Sequence, residues 1–383
     1  MNLRIASLAL AASLALLGGC STISNALPFL SPSADKPKPA ELAPNPGLLG
    51  VRQAWNARIG EVGFPLAPAV HGGTVVLASS DGSVAALDAA TGRELWRGSA
   101  GGPVVAGVGT DGSLSAVVTR NNELVTLNAG RPAWRERLTS QVFTPPLVAG
   151  ARVFVLGADR SVSAFDGATG RRLWNQQRPG EPLVLRQPGV MLAVGDTLVV
   201  GQGGRLAGLD PNTGAVRWEA PIATSRGIND VERLVDLVGR VSRVGNNVCA
   251  RAFQAAVGCV DATRGTVAWT QKASGSEGVH GDAASLFATE NDGKVMAWKR
   301  ESGQRAWSTE QLLHRGLTAP LALGRSVVVG DSLGFVHFLS REDGSLLNRV
   351  GTDGSAIAAA PVAAGNTLVV VTRSGNVYGF APQ

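Results

Sequence analysis

The groups that could do chemistry are few and scattered. There are four histidines, at 71, 280, 314 and 337, and three cysteines, at 20, 249 and 259, in 383 residues. No histidine stands in a His-Glu-x-x-His pattern or pairs with another at i, i+4, the spacing that puts two imidazoles on one metal. Each is therefore expected on a turn or a strand, and no metal site is expected. Gly107-Val108-Gly109-Thr110-Asp111-Gly112 fits the pattern G-x-G-x-x-G. That pattern grips a pyrophosphate only where it leads from a strand into a helix. It opens no helix in this sequence, so a hairpin turn between strands is expected instead.

Cys249 and Cys259 each lie five residues from Gln254. Two consecutive antiparallel strands turning there would set them opposite each other, within reach of a disulfide. Two readings stay open: a disulfide closing a short loop, or two buried free thiols. Cys20 has a different setting. Arg4 precedes an apolar run over residues 5–17, which ends in Leu17-Gly18-Gly19-Cys20. A basic start, a short apolar stretch and small residues before a cut describe a secretory signal. As a helix the run would span about 20 Å at ~1.5 Å per residue, too short for a hydrocarbon core of about 30 Å. Leu-Gly-Gly-Cys resembles a bacterial lipobox, which implies cleavage before Cys20 and acylation of that residue. The next segment carries prolines at 28, 32, 37, 39, 44 and 46 among Ser, Ala and Asn. Such a composition favours an extended tether that buries no core. The expected organisation is a signal over 1–19, a lipidated tether over 20–47 and a folded body over 48–383.

The net charge is +6. The arginines are spread singly or in pairs among acids, with no run of five or six, which argues against a nucleic-acid patch. Charged residues are only 17% and hydrophobic ones 44%, which excludes a coiled coil or a disordered chain.

What positions these residues is a repeat. "LDAATGRELW", "FDGATGRRLW" and "LDPNTGAVRW" end at Trp96, Trp174 and Trp218. Val257 to Asp261 with Gly265 leads likewise to Trp269, and Lys294 to Trp298 with Ser302-Gly303 to Trp307; weaker copies end at Trp134 and Asn348, and a lone final strand ends at Trp55. The intervals from 55 to 348 are 41, 38, 40, 44, 51, 38 and 41 residues. A period near 40 with several short strands per unit means propeller blades. In each unit an apolar run, a turn such as Ser80-Asp81-Gly82 and an alternating strand lead to Asp-x-x-Thr-Gly, where Asp can bond its own backbone and Gly accepts positive φ. Seven intervals make seven blades. The chain after 348 supplies three more strands, and the Trp55 strand supplies their fourth. The fold class expected is all-β: an eight-bladed propeller of four-stranded antiparallel blades, closed by pairing the N-terminal strand with the C-terminal blade, with a seven-bladed ring as the alternative.

The blade signature resembles that of quinoprotein (PQQ) dehydrogenases. Combined with a lipobox and this length, the chain resembles more fully the BamB family of outer-membrane assembly factors. Gln311-Leu312-Leu313-His314-Arg315 with Thr318 and Pro320, then Gly330-Asp331-Ser332 with Gly334 and His337, strengthen that resemblance. It implies a non-catalytic scaffold without a cofactor, lipid-anchored in the outer membrane and facing the periplasm. The implied partner is BamA, through its POTRA domains. Two family loop patterns imply the contact residues: Leu183, Leu185 and Arg186 in one loop, Arg233 and Asp236 in the other. The family has a further Asp where this sequence has Val238. Leu183 and Leu185 alternate with Val184 between Pro182 and Pro188, so both could face outward beside Arg186 as an apolar anchor with flanking charge. The alternative is that they point inward as residues of a blade's first strand. The alternative functions are a PQQ-type dehydrogenase and a periplasmic ligand-binding propeller. The enzyme reading lacks the vicinal cysteines and the Glu, Asn and Asp calcium set of those enzymes.

Overall fold

The computed structural model describes residues 37–178, 184–224 and 234–383. These contain 32 strands and no α-helix. Two compact units are distinguished, 1–39 and 40–383. In the first, only residues 37–39 are described, and they are irregular; the expected signal over 1–19 and Cys20 lie outside the described residues.

The second unit is a ring of eight four-stranded sheets. Blade 1 is Ala69–His71, Thr74–Ala78, Ser83–Asp88 and Glu94–Ser99. Blades 2 to 7 follow over 104–137, 147–176, 191–221, 237–272, 279–309 and 321–351. Blade 8 combines Val362–Ala364, Thr367–Val371 and Asn376–Pro382 with Val51–Arg58 as its outer strand. Val51 pairs with Pro382 and Arg58 with Asn376, antiparallel. The eight-bladed class and its closure through the chain ends are as the repeat predicts. Closure leaves no sheet open where the ring begins and ends.

The second and third strands of each blade are buried on both faces, so their sequences read as near-continuous apolar runs rather than alternating ones. Thr74–Ala78 and Thr367–Val371 are examples. The cores lie between neighbouring blades: Phe154, Leu198 and Leu209 join blades 3 and 4, and Phe287, Val327 and Leu339 join blades 6 and 7.

The tryptophans latch one blade to the next. In every blade a register shift precedes the Trp position on the outer strand, as before Trp96 and Trp174. This bulge turns the indole toward the following blade, where it lies on the glycine of the Asp-x-x-Thr-Gly turn. Gly92 has φ +72°, and a Cβ there would come within 2.5 Å of the Trp55 ring. Gly170 has φ +75°, and its Cβ would sit 2.6 Å from the Trp134 ring. Both the turn and the stacking therefore demand glycine. Five of the seven indoles also donate a hydrogen bond to a carbonyl of the next blade, as Trp55 does to Ala89 at 2.9 Å and Trp134 to Gly167 at 2.8 Å.

Two sequence expectations change. Residues 40–47 belong by composition to the tether, yet they strap onto blade 7. Ala40 donates its backbone N–H to Leu313 at 2.9 Å, and Arg349 reaches the Ala43 carbonyl at 3.2 Å. Leu42 packs on the core between blades 6 and 7. Prolines at 44 and 46 fix φ and favour an extended course for this irregular segment. The glycine pattern at 107–112 is not confined to a turn: Val104–Thr110 is the first strand of blade 2, and only Asp111 to Ser113 turn.

Candidate functional site

Connections between successive blades emerge on one face of a propeller, and three consecutive ones converge in this chain. Phe143 lies between blades 2 and 3, Leu185 and Arg186 between blades 3 and 4, and Asp236 between blades 4 and 5. Asp236 ties them together. Its Oδ2 accepts the backbone N–H of Leu185 at 3.1 Å, and its Oδ1 pairs with Arg160 at 3.0 Å. Arg160 comes from the turn between the second and third strands of blade 3, on the same face, and has φ +65°. Both side chains of that pair are largely covered, at 13% and 15% exposure. Partial burial shields the pair from solvent, which makes it stronger than a surface contact. Arg186 is exposed and sits over the Phe143 ring, 5.5 Å from its centroid. Such stacking holds a guanidinium in place while leaving its N–H groups to a partner.

Val184 and Leu185 are half-buried and line a cleft with Phe143, Leu156 and Asp236. Leu185 lies in the connection ahead of blade 4's first strand, Met191–Val194, and is not part of that strand. Leu183 and Arg233 lie outside the described residues. Val238 is 2% exposed and starts the inner wall of blade 5, paired with Arg251. Val238 is therefore part of the core and not of the exposed face. Phe143 and Arg160 are members of this face that sequence reasoning missed. Their only sequence signal is membership of the loops flanking blade 3.

Cys249 and Cys259 stand opposite each other in blade 5, on strands Asn247–Ala252 and Ala256–Asp261. Their sulfurs are 1.90 Å apart, at bonding distance. Cys259 also faces Trp269 across the third and fourth strands. The Arg300 guanidinium lies 3.1 Å from the Cys249 sulfur and also bonds Asn247 at 2.6 Å and Ser242.

His71, His280 and His337 are on strands, and His314 is in a turn at φ +58°. His337 is wholly buried, with Nε2 2.9 Å from Asp331 Oδ2. Arg315 Nε reaches the same oxygen at 2.7 Å, and Arg315 Nη1 holds the Ala40 carbonyl at 2.9 Å. Burial lowers the His337 pKa, against the opposing pull of Asp331. This triangle pins the strap to blade 7. Among the described residues, no group of three His, Cys, Asp or Glu side chains could hold a metal.

The family model described as outer membrane protein assembly factor BamB matches residues 36–105 and 80–309. The chain belongs to the BamB family. The BamB of Burkholderia pseudomallei is 38% identical over 99% of this chain and 98% of its own length. That of Yersinia pestis is 27% identical over 99% of this chain and its full length. The crystal structure of BamB from Moraxella catarrhalis superposes with a TM-score of 0.78 at 26% identity, covering 86% of this chain and 99% of that one. The quinohemoprotein alcohol dehydrogenase of Comamonas testosteroni shares the propeller, with a TM-score of 0.68 at 16% identity over 89% of this chain and 78% of its own. That second likeness is one of fold alone. The BamB family thus accounts for the blade motif, the chain length and the ring together.

Proposed function

We propose that this chain is a non-catalytic scaffold of the outer-membrane β-barrel assembly machinery, associated with the outer membrane and assisting the folding and insertion of outer-membrane proteins. Family membership over nearly the whole chain supports this reading. The anchor is the acylated Cys20, and the propeller faces the periplasm. It docks on the POTRA domains of BamA through the two loops that carry Leu183, Leu185, Arg186, Arg233 and Asp236 in the sequence. The observation that carries this placement is the hydrogen bond from Leu185 to Asp236, which joins the two loops into one surface. Apolar side chains flanked by a held cation are the composition of an interface hot spot. No redox cofactor is needed for this role.

The test is a mild-detergent pull-down of the tagged lipoprotein from its native envelope, with mass spectrometry of its partners. Recovery of BamA, lost on combining Leu185→Ala with Arg186→Ala, is the expected result. Recovery undiminished by the double change would remove the face from the docking site. Absence of BamA from the wild-type sample would remove the scaffold role.

A further inference from the structure

The ring encloses an axial cavity of about 720 Å³. That is the size of a site for one small molecule. Its wall is mostly apolar, with Pro68, Pro146, Pro188 and Ala359 among the residues that form it. Arg240 is the exception that matters.

Arg240 is on the first strand of blade 5, Leu237–Val244. Its Nη1 donates to the Pro361 carbonyl at 2.7 Å, just ahead of the first strand of blade 8. Blades 6 and 7 separate those two, so the side chain reaches across the channel. The backbone beneath it is pinned, because Gly239 donates to the Pro188 carbonyl at 2.8 Å and Gly278 packs directly against Arg240. A guanidinium carries five N–H groups. The other four have no protein acceptor among the described residues, and no carboxylate there forms an ion pair with it. Burial draws its pKa down to about 10, which leaves it charged at neutral pH. Arg251 provides the contrast: it is fully enclosed and paired with Glu290 at 2.8 Å.

A deeply placed cation without a counter-ion is costly to fold. Retained in a cavity open to solvent, it marks a place for an anion. The wall narrows the chemistry. Glu277 also lines the cavity, its pKa raised by burial, and it offers no cation to a second anionic group on a ligand. Arg373, exposed on the same wall, adds a second cation. The prolines and alanines suit an apolar body rather than a bare inorganic ion. We propose that the axial cavity binds a small organic monocarboxylate, its carboxylate on Arg240 and its apolar body against the proline-lined wall. This site adjoins the docking face, and Thr144, Gln187, Gly189 and Val238 line both.

The experiment is fluorine NMR on the full lipid-anchored chain in detergent, with 4-fluorobenzoate as probe and 4-fluorobenzyl alcohol as its neutral counterpart. The expected result is saturable broadening of the acid at millimolar concentration, with at least tenfold weaker binding of the alcohol. Arg240→Gln should weaken the acid at least tenfold, and Arg135→Gln on the outer rim should not. Equal affinity for acid and alcohol would overturn the proposal, as would acid binding unchanged in Arg240→Gln or absent from the wild-type protein. The acid–alcohol comparison on the wild-type chain decides the matter even if Arg240→Gln fails to fold. None of these readouts depends on BamA.

Discussion

Asn348 stands directly opposite Phe338 on the outer and third strands of blade 7. In the other blades the same two positions hold a tryptophan and a small residue. Trp96 faces Ala86, Trp174 faces Ala164, Trp218 faces Gly208 and Trp307 faces Ala297. A Cβ on Gly208 would come within 2.2 Å of the Trp218 ring. The exchange in blade 7 has a cause in the closure. Blade 8 takes its outer strand from the N-terminus, so it has no Asp-x-x-Thr-Gly turn for a blade 7 indole to dock on. Asn348 instead bonds the Leu49 carbonyl at 2.6 Å and Asn45 at 2.9 Å, holding the incoming strand. Phe338 fills the space beneath. Asn348→Trp is therefore expected to destabilise by about 1–3 kcal/mol through overpacking against Phe338. Urea denaturation of the purified chain measures it. A stabilising effect would mean the position is an ordinary latch.

Closure should depend on Trp55 more than its peripheral strand suggests. It is 9% exposed, donates to Ala89 in blade 1 and belongs to the outer strand of blade 8. Trp55→Ala removes packing from both blades and is expected to cost about 3–5 kcal/mol. The denaturation midpoint reads this, and a loss below 1 kcal/mol would show that the ring holds without the latch.

Asp236→Ala removes the acceptor shared by Leu185 and Arg160. About 1–3 kcal/mol of local stability should go with it. BamA recovery in the pull-down should fall several-fold, since the two loops lose their common support. Asp343→Ala, in an exposed turn between the third and outer strands of blade 7, lies on the other face and should leave recovery unchanged.

His280 gives the stability a pH dependence. Burial first, then the charges of Arg240 and Arg300, pull its pKa from 6.5 down to about 3. Its Nδ1 accepts the Ala322 N–H at 3.0 Å, which needs the neutral ring. The unfolded chain takes up this proton near pH 6.5 and the folded chain only near 3. Stability therefore falls as pH drops through that window, by up to about 1.4 kcal/mol per unit from this group. His280→Gln should flatten the dependence. Denaturation midpoints at pH 7 and pH 5, compared between the two proteins, provide the check.

A thiol count on unfolded, unreduced protein should find neither Cys249 nor Cys259 free. By loop entropy a bond across ten residues contributes about 3 kcal/mol at most. Two reactive thiols would return the pair to the open reading of buried cysteines.

The chain alone determined the blades, because each is local. A period near 40, a tryptophan and an Asp-x-x-Thr-Gly turn recur whatever lies across the ring, and hairpin pairing follows from turn spacing. The facing of Cys249 and Cys259 was legible for the same reason, being one hairpin. The tertiary structure decided everything that joins distant blades. Leu185 and Asp236 are 51 residues apart, and Arg240 and Pro361 are 121 apart. Packing of successive blades makes the first pair neighbours, and the curvature of the ring the second. Nothing in the spacing of Asp331 and His337 foretold that Arg315 would share their oxygen while holding Ala40. Residues 40–47 read as a tether because polar, proline-rich composition reports what a segment cannot bury by itself, not which finished surface will receive it.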